Sequence, residues 1–176
     1  MVSIIQRDSD KQGVLRRHAI PIPEDKIRTK EIADIVAEME HAMEGEEDAI
    51  AIAAPQVGYS LRLFVVSPKL YELEESKTDK KQHRVFINPE ITRKSRKKAE
   101  SDEGCLSIRP YYGIVERAEK VTVHAQDLLG KKFTYSASGL LAQIFQHEID
   151  HLDGILFTDK AREVWTIHNK EKHEAK

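Results

Sequence analysis

The run from Ser138 to Leu152 constrains this chain more than any other segment. Leu140, Leu141, Ile144, Phe145 and Ile149 recur at helical spacing. Ser136 or Ser138 can cap the start, and Asp153-Gly154 ends the pattern. Inside this apolar helix lies His147-Glu148-Ile149-Asp150-His151. Phe145, Ile149 and Leu152 flank the polar residues, so the helix is expected to be buried on most sides. Buried imidazoles and carboxylates need partners. The fold must therefore wrap a central helix and satisfy the polar groups it carries.

A metal would satisfy them. Positions i and i+4 share a helix face, so His147 and His151 can bind one divalent ion. Glu148 can then act as general base on a water beside it. The competing reading is an exposed helix with two ordinary histidines, and the apolar flanks argue against it. Catalytic sites of this kind typically have three protein ligands. His124, Asp150, Asp153 and Cys105 are the candidates for the third. Asp150 turns away on a helix. Cys105 sits in Glu103-Gly104-Cys105-Leu106-Ser107, where Gly104 permits an unusual backbone angle and close approach. Its thiolate suits a soft or borderline metal. An inert buried thiol is the alternative.

The remaining segments set the frame. A chain of 176 residues fits a single domain over residues 1–176 and can bury a core without disulfides. Its net charge of −2 points neither to nucleic acid nor to an anionic membrane. No apolar run is long enough to cross a bilayer, and Met1 to Ile5 lacks the pattern of a signal peptide. The lone Cys105 points to a reducing cytoplasm. Thr29 to Met43 is an amphipathic helix by its spacing. Leu61 to Val66, Val85 to Ile87, Lys120 to Ala125 and Lys132 to Tyr135 read as strands, the last two joined by a turn at Asp127 to Gly130. Leu70 to Arg84 reads as a solvated loop or hairpin tip. The basic cluster Arg93 to Lys98 reads as a solvated strand end or turn rather than a nucleic-acid patch. A short helix is expected from Asp159 onward, with a frayed, lysine-rich end. The expected class is α+β, with mixed, mainly antiparallel sheets packed around the central metal-binding helix.

Three ordered motifs carry a resemblance. They are Ala49-Ile50-Ala51-Ile52-Ala53-Ala54-Pro55-Gln56-Val57-Gly58, then Glu103-Gly104-Cys105-Leu106-Ser107, then Gln146-His147-Glu148-Ile149-Asp150-His151-Leu152 with Asp153-Gly154-Ile155-Leu156-Phe157 next in the chain. Val14-Leu15-Arg16, Asn88-Pro89-Glu90-Ile91 and Val115-Glu116-Arg117-Ala118 add coverage. Together they resemble the peptide deformylase family over most of the chain. The second and third motifs match in full. The first departs, with Ala49 and Ala51 where the family usually has glycine. A methyl group at Ala51 is expected to narrow the approach of a peptide backbone, and alanine resists positive φ.

The resemblance implies removal of the formyl group from the N-terminal formyl-methionine of newly made polypeptides. It implies Cys105, His147 and His151 as metal ligands and Glu148 as the proton carrier. The Gln56 amide and the Leu106 backbone N–H would donate to the formyl oxygen. Ferrous iron is implied as the working metal, with zinc, nickel or cobalt able to occupy the site. Ile50, Ala51, Leu140 and Ile144 are candidates for the methionine pocket and cleft wall, and the apolar members among them can equally be plain core. Arg117 resembles a contact to the substrate backbone. The peptide is expected to lie extended along Ala49 to Ala51. Expected partners are formyl-Met nascent peptides and the ribosome, with no membrane and no DNA. Two other readings compete: a metalloprotease using the same helix motif, and a deformylase-like binder of nascent chains without turnover.

Overall fold

The structure is a computed structural model describing residues 3–73 and 84–166. Along the chain run α1 (Lys30–Glu44), β1 (Ala51–Ala53), β2 (Leu63–Val66), α2 (Pro68–Leu73), β3 (Val85–Lys94), β4 (Lys98–Gly104), β5 (Tyr111–Ala118), β6 (Lys120–Gln126), β7 (Lys132–Ser138), α3 (Gly139–Leu152) and β8 (Glu163–Thr166). Two antiparallel sheets form. One has the order β1-β2-β3-β6-β7 and the other β4-β5-β8.

The period of two along the strands builds two cores on opposite faces of the larger sheet. Leu63 and Val65 of β2 and Ile52 of β1 face α1, where they meet Ile32, Ile35, Val36 and Met39. Phe64 and Val66, with Ala51 and Ala53, face α3 instead. There Phe64 stacks on Phe86 with centroids 4.6 Å apart, and Phe145 of α3 lies 4.8 Å from Phe86. All three rings are fully buried, and each contributes roughly 2–3 kcal/mol relative to exposure. A third cluster, with Val14, Leu15, Ile108, Val115, Leu156 and Phe157, lies at the smaller sheet and includes Cys105. The class expected from the sequence holds, including the N-terminal amphipathic helix.

The helix α3 joins the two sheets. Its apolar side seals the larger sheet, and its polar side reaches β5. The Gln146 amide pairs with the Ala118 backbone there, donating to its carbonyl at 2.9 Å and accepting from its N–H at 3.1 Å. Ser138 occupies the cap position without a side-chain capping bond. At the other end Gly154 adopts φ +72°, and a Cβ there would lie 2.6 Å from the Arg16 carbonyl oxygen.

Three expectations change. Glu163 to Thr166 form β8, not part of a final helix, while residues 167–176 lie outside the described residues. The cause is an open edge on β5. Gly113 faces Val164, and any Cβ on it would meet the Glu163 carbonyl oxygen at 2.7 Å, so only glycine lets β8 approach. The presumed loop from Leu70 begins inside α2, with Leu70 and Tyr71 buried, and residues 74–83 lie outside the described residues. The strand expected at Val85 to Ile87 continues to Lys94, irregular in its register with β6. The basic cluster is the solvated end of β3, a turn and the start of β4; Lys97 and Lys98 pair with Glu119 and Glu116. Among the described residues, no helix is long and apolar enough to cross a membrane. Gly154→Ala combines positive φ with a backbone clash, and is expected to cost about 1–3 kcal/mol, read as a lower urea midpoint at unchanged slope.

Candidate metal centre

Cys105 leaves the end of β4 and meets the polar side of α3. Its Sγ lies 3.2 Å from His151 Nε2, and one ligand atom each from Cys105, His147 and His151 falls within 4.8 Å of the others. All three residues are buried. The i,i+4 spacing sets the two imidazoles at an interplanar angle of 81° with centroids 4.9 Å apart, so they converge without stacking. His124 is exposed on β6, Asp153 pairs with Arg62, and Asp150 points away to other partners, so the candidates for a third ligand reduce to Cys105.

The donor chemistry fits a divalent ion. His147 directs Nδ1 to Glu103 Oε2 at 2.9 Å, which leaves Nε2 for a metal. Burial pushes the His151 imidazole well below its ordinary value, whereas the hydrogen bonds of His147 to Cys105 and Glu103 outweigh its burial and hold that imidazole well above it, so an ion entering here displaces a proton from His147. Glu148 is buried at the cleft, and among the described residues its Oε2 has no hydrogen-bond partner. Burial pushes its carboxyl up to about 7.

A charged chain runs behind the ligands. Arg117 donates from Nε and Nη2 to the two Glu103 oxygens at 2.7 and 2.8 Å, and from Nη1 to Asp150. Asp150 also accepts from Lys160 at 2.6 Å. Burial alone would raise the Glu103 carboxyl, but the hydrogen bonds from Arg117 and His147 outweigh it and hold it at about 2. Gln56 is fixed in the same way. Its Oε1 accepts from the Ala53 N–H at 2.9 Å, which aims Nε2 at Ser107 Oγ (3.2 Å) and Cys105 Sγ (3.5 Å).

Of the three candidate ligands, Cys105 and His147 line a cleft between the two sheets. One wall is Ala49 to Ala51 at β1, and the other is Asp102 to Gly104 of β4. Among the described residues each of these strands ends its sheet. Ile50, Ala51, Gln56, Leu106, Leu140 and Ile144 all line the cleft, as do Cys105, His147 and Glu148.

Comparison with known proteins agrees with this geometry. The profile of the family described as polypeptide deformylase matches residues 2–165. The chain belongs to the peptide deformylase family. A peptide deformylase of Symbiobacterium thermophilum is 42% identical over 164 residues, covering 90% of this chain and 67% of the relative. One from Roseiflexus castenholzii is 38% identical over 174 residues, covering 96% and 91%. Among solved structures, the Thermotoga maritima peptide deformylase superposes with a TM-score of 0.77 at 29% identity, covering 93% of this chain and 99% of that one. A class I type b enzyme from Acinetobacter baumannii, solved with Met-Ala-Ser bound, gives 0.75 at 32% identity, covering 89% and 96%. This deformylase is thus a hydrolase that removes the N-terminal formyl group of new polypeptides.

Two expected site residues sit elsewhere. His151 lies beneath the cleft surface, as a ligand can. Arg117, expected at the substrate backbone, is 5% exposed and uses Nε, Nη1 and Nη2 on Glu103 and Asp150. Its physical role is to hold those carboxylates. The backbone part of the expectation for alanine in the first motif does not apply, while the Ala51 methyl does line the cleft. Among the described residues, Asn88 is the sole non-glycine with positive φ, so Ala49 and Ala51 keep ordinary backbone angles. Gly104 serves close approach only, because a Cβ there would lie 2.8 Å from the Tyr112 ring. Sequence reasoning overlooked Glu103, Ser107 and the partners of Asp150. The usable signal for Glu103 was chemical: a liganding imidazole needs an acceptor for its second nitrogen. Glu103→Gln is expected to weaken metal binding about 10–100-fold, measured by competition with a chromophoric chelator.

Proposed function

We propose that Cys105, His147 and His151 hold one divalent metal and that Glu148, Gln56 and Leu106 carry the deformylation around it. One observation carries this reading: Glu148, a buried carboxylate with one oxygen unpartnered among the described residues, lines the cleft beside Cys105 and His147, whose ligand atoms converge with that of His151 beneath. A divalent ion held there supplies Lewis acidity, which lowers the pKa of a water toward neutrality.

Glu148 takes a proton from the attacking water. As the water oxygen adds to the formyl carbon, negative charge grows on the formyl oxygen. The Gln56 side-chain amide and the Leu106 N–H donate to that oxygen, and such preorganised donors are typically worth about 3 kcal/mol each. Glu148 then delivers its proton to the departing amine nitrogen as the C–N bond breaks, and formate leaves. The methionine side chain takes the apolar part of the cleft, at Ile50, Ala51, Leu140 and Ile144. The peptide extends between β1 and β4, adding main-chain hydrogen bonds to open strand edges. The Met-Ala-Ser bound to the related Acinetobacter enzyme supports a peptide that begins with methionine as the ligand.

Ferrous iron is our choice of working metal, with zinc, nickel or cobalt able to occupy the same donors. An iron–thiolate site needs a reducing compartment, which supports a cytoplasmic location. Nascent formyl-Met chains are the substrates, and the ribosome near its exit tunnel is the proposed setting. The reading as a binder without turnover is disfavoured, since Ala49 and Ala51 need no positive φ and the proposed catalytic residues line one cleft.

The test is formate release from a formyl-Met peptide by anaerobically purified protein, with metal analysis of the same sample. No formate from protein loaded with ferrous iron would overturn the reading. Glu148→Ala is expected to retain metal and lose turnover. Gln56→Leu is expected to lower kcat about 10²–10³-fold. Chelation is expected to abolish activity, and re-addition of ferrous iron to restore it.

A further inference from the structure

The two proposed donors to the formyl oxygen come from different sheets. Gln56 lies in the 3-10 turn after β1 of the larger sheet, and Leu106 in the turn after β4 of the smaller one. The Gln56 amide spans the two turns through Ser107 and Cys105, but a donor that must also serve the substrate is best held by a second, main-chain element that touches both.

The N-terminal segment does so. The Ile5 N–H donates to the Gln56 carbonyl at 2.8 Å. The next residue, Gln6, reaches the other turn and donates from Nε2 to the Leu106 carbonyl at 2.9 Å. The Arg7 N–H then donates to the Ser107 carbonyl at 2.8 Å. Three consecutive residues thus tie one turn to the other. The side chains reinforce this. Ile4 packs with the core cluster under α1, and Ile5 with the cluster that contains Cys105. The Gln56 amide itself contacts Ser107 Oγ, so the tie and the proposed donor share a residue.

We propose that Ile5 to Arg7 form a positioning element for the formyl-oxygen site, and that Gln6 is its positioning residue. Gln6 touches no reacting atom. It fixes the carbonyl of Leu106, one peptide unit along from the Cys105–Leu106 plane that carries the proposed donor N–H. Donors of this kind act by being in place before charge develops. A displacement of about 1 Å at such a site costs up to 10²-fold in rate. This rests on reading Gln56 and Leu106 as the donors.

The test uses the full-length, metal-loaded enzyme. Wild-type turnover of formyl-Met-Ala-Ser examines the function itself, and the variants examine the tie. Gln6→Met keeps the length and removes the donor. Its kcat is expected to fall about five- to tenfold with KM, metal content and melting temperature unchanged. Gln6→Lys restores a donor of similar reach and is expected to recover most of the loss. In a Gln56→Leu background the Gln6→Met effect is expected to shrink toward nothing, because the donors act as a unit. The proposal is overturned by an unchanged kcat in Gln6→Met, or by a loss that multiplies fully with Gln56→Leu. A loss matched by falling metal content or melting temperature would likewise overturn it, since Gln6 would then be only structural. Absence of turnover in the wild type would instead sink the proposed function.

Discussion

The arrangement depends on one buried ion pair, Arg117 with Glu103. Moving these charges out of water costs several kcal/mol each, and mutual attraction offsets that only with near-complete hydrogen bonding. Here it is near complete. The fork of Arg117 covers both Glu103 oxygens, its third nitrogen takes Asp150, and Glu103 Oε2 also meets His147. Glu103 belongs to β4, Arg117 to β5, and His147 and Asp150 to α3. A single satisfied network therefore registers a strand pair against a helix. Cys105 lies two residues past Glu103, so the anchor that fixes one imidazole also fixes the sulfur.

The same economy governs α3 as a whole. A helix with both Phe145 and His147 buried has no solvent face to spare. It can sit only between two partners of different character, an aromatic sheet face on one side and a polar seam on the other. Both are present, and the space left between the open edges of β1 and β4 is the cleft. Catalytic geometry here is a by-product of satisfying one amphipathic, largely buried helix.

Much of this was legible in the residues. The period of Leu140, Leu141, Ile144, Phe145 and Ile149 located α3, and the spacing of Ile32, Ile35, Val36 and Met39 located α1, because helical periodicity is a local property. The ligand cluster came from His147 and His151 on one helical face, with the resemblance selecting Cys105. What escaped was set by tertiary partners. Glu163 to Thr166 reads as polar and weakly patterned, and becomes a strand because Gly113 leaves room for it. Arg117 looks like a surface arginine or a substrate contact, and its burial depends on Glu103 and Asp150, whose proximity no local pattern reveals. Gln6 lies 100 positions from the carbonyl it holds.

The open edges of β1 and β4 have a broader consequence. Strand edges beside the cleft can partner the feature every peptide has in common, the amide repeat, while the proposed apolar recess takes one particular side chain. On the proposed placement of the peptide, such an enzyme selects at the first residue and is indifferent to most of the side chains beyond it. One small catalyst of this design can therefore serve as a general finishing step for many unrelated chains, with no need to read the message each one carries.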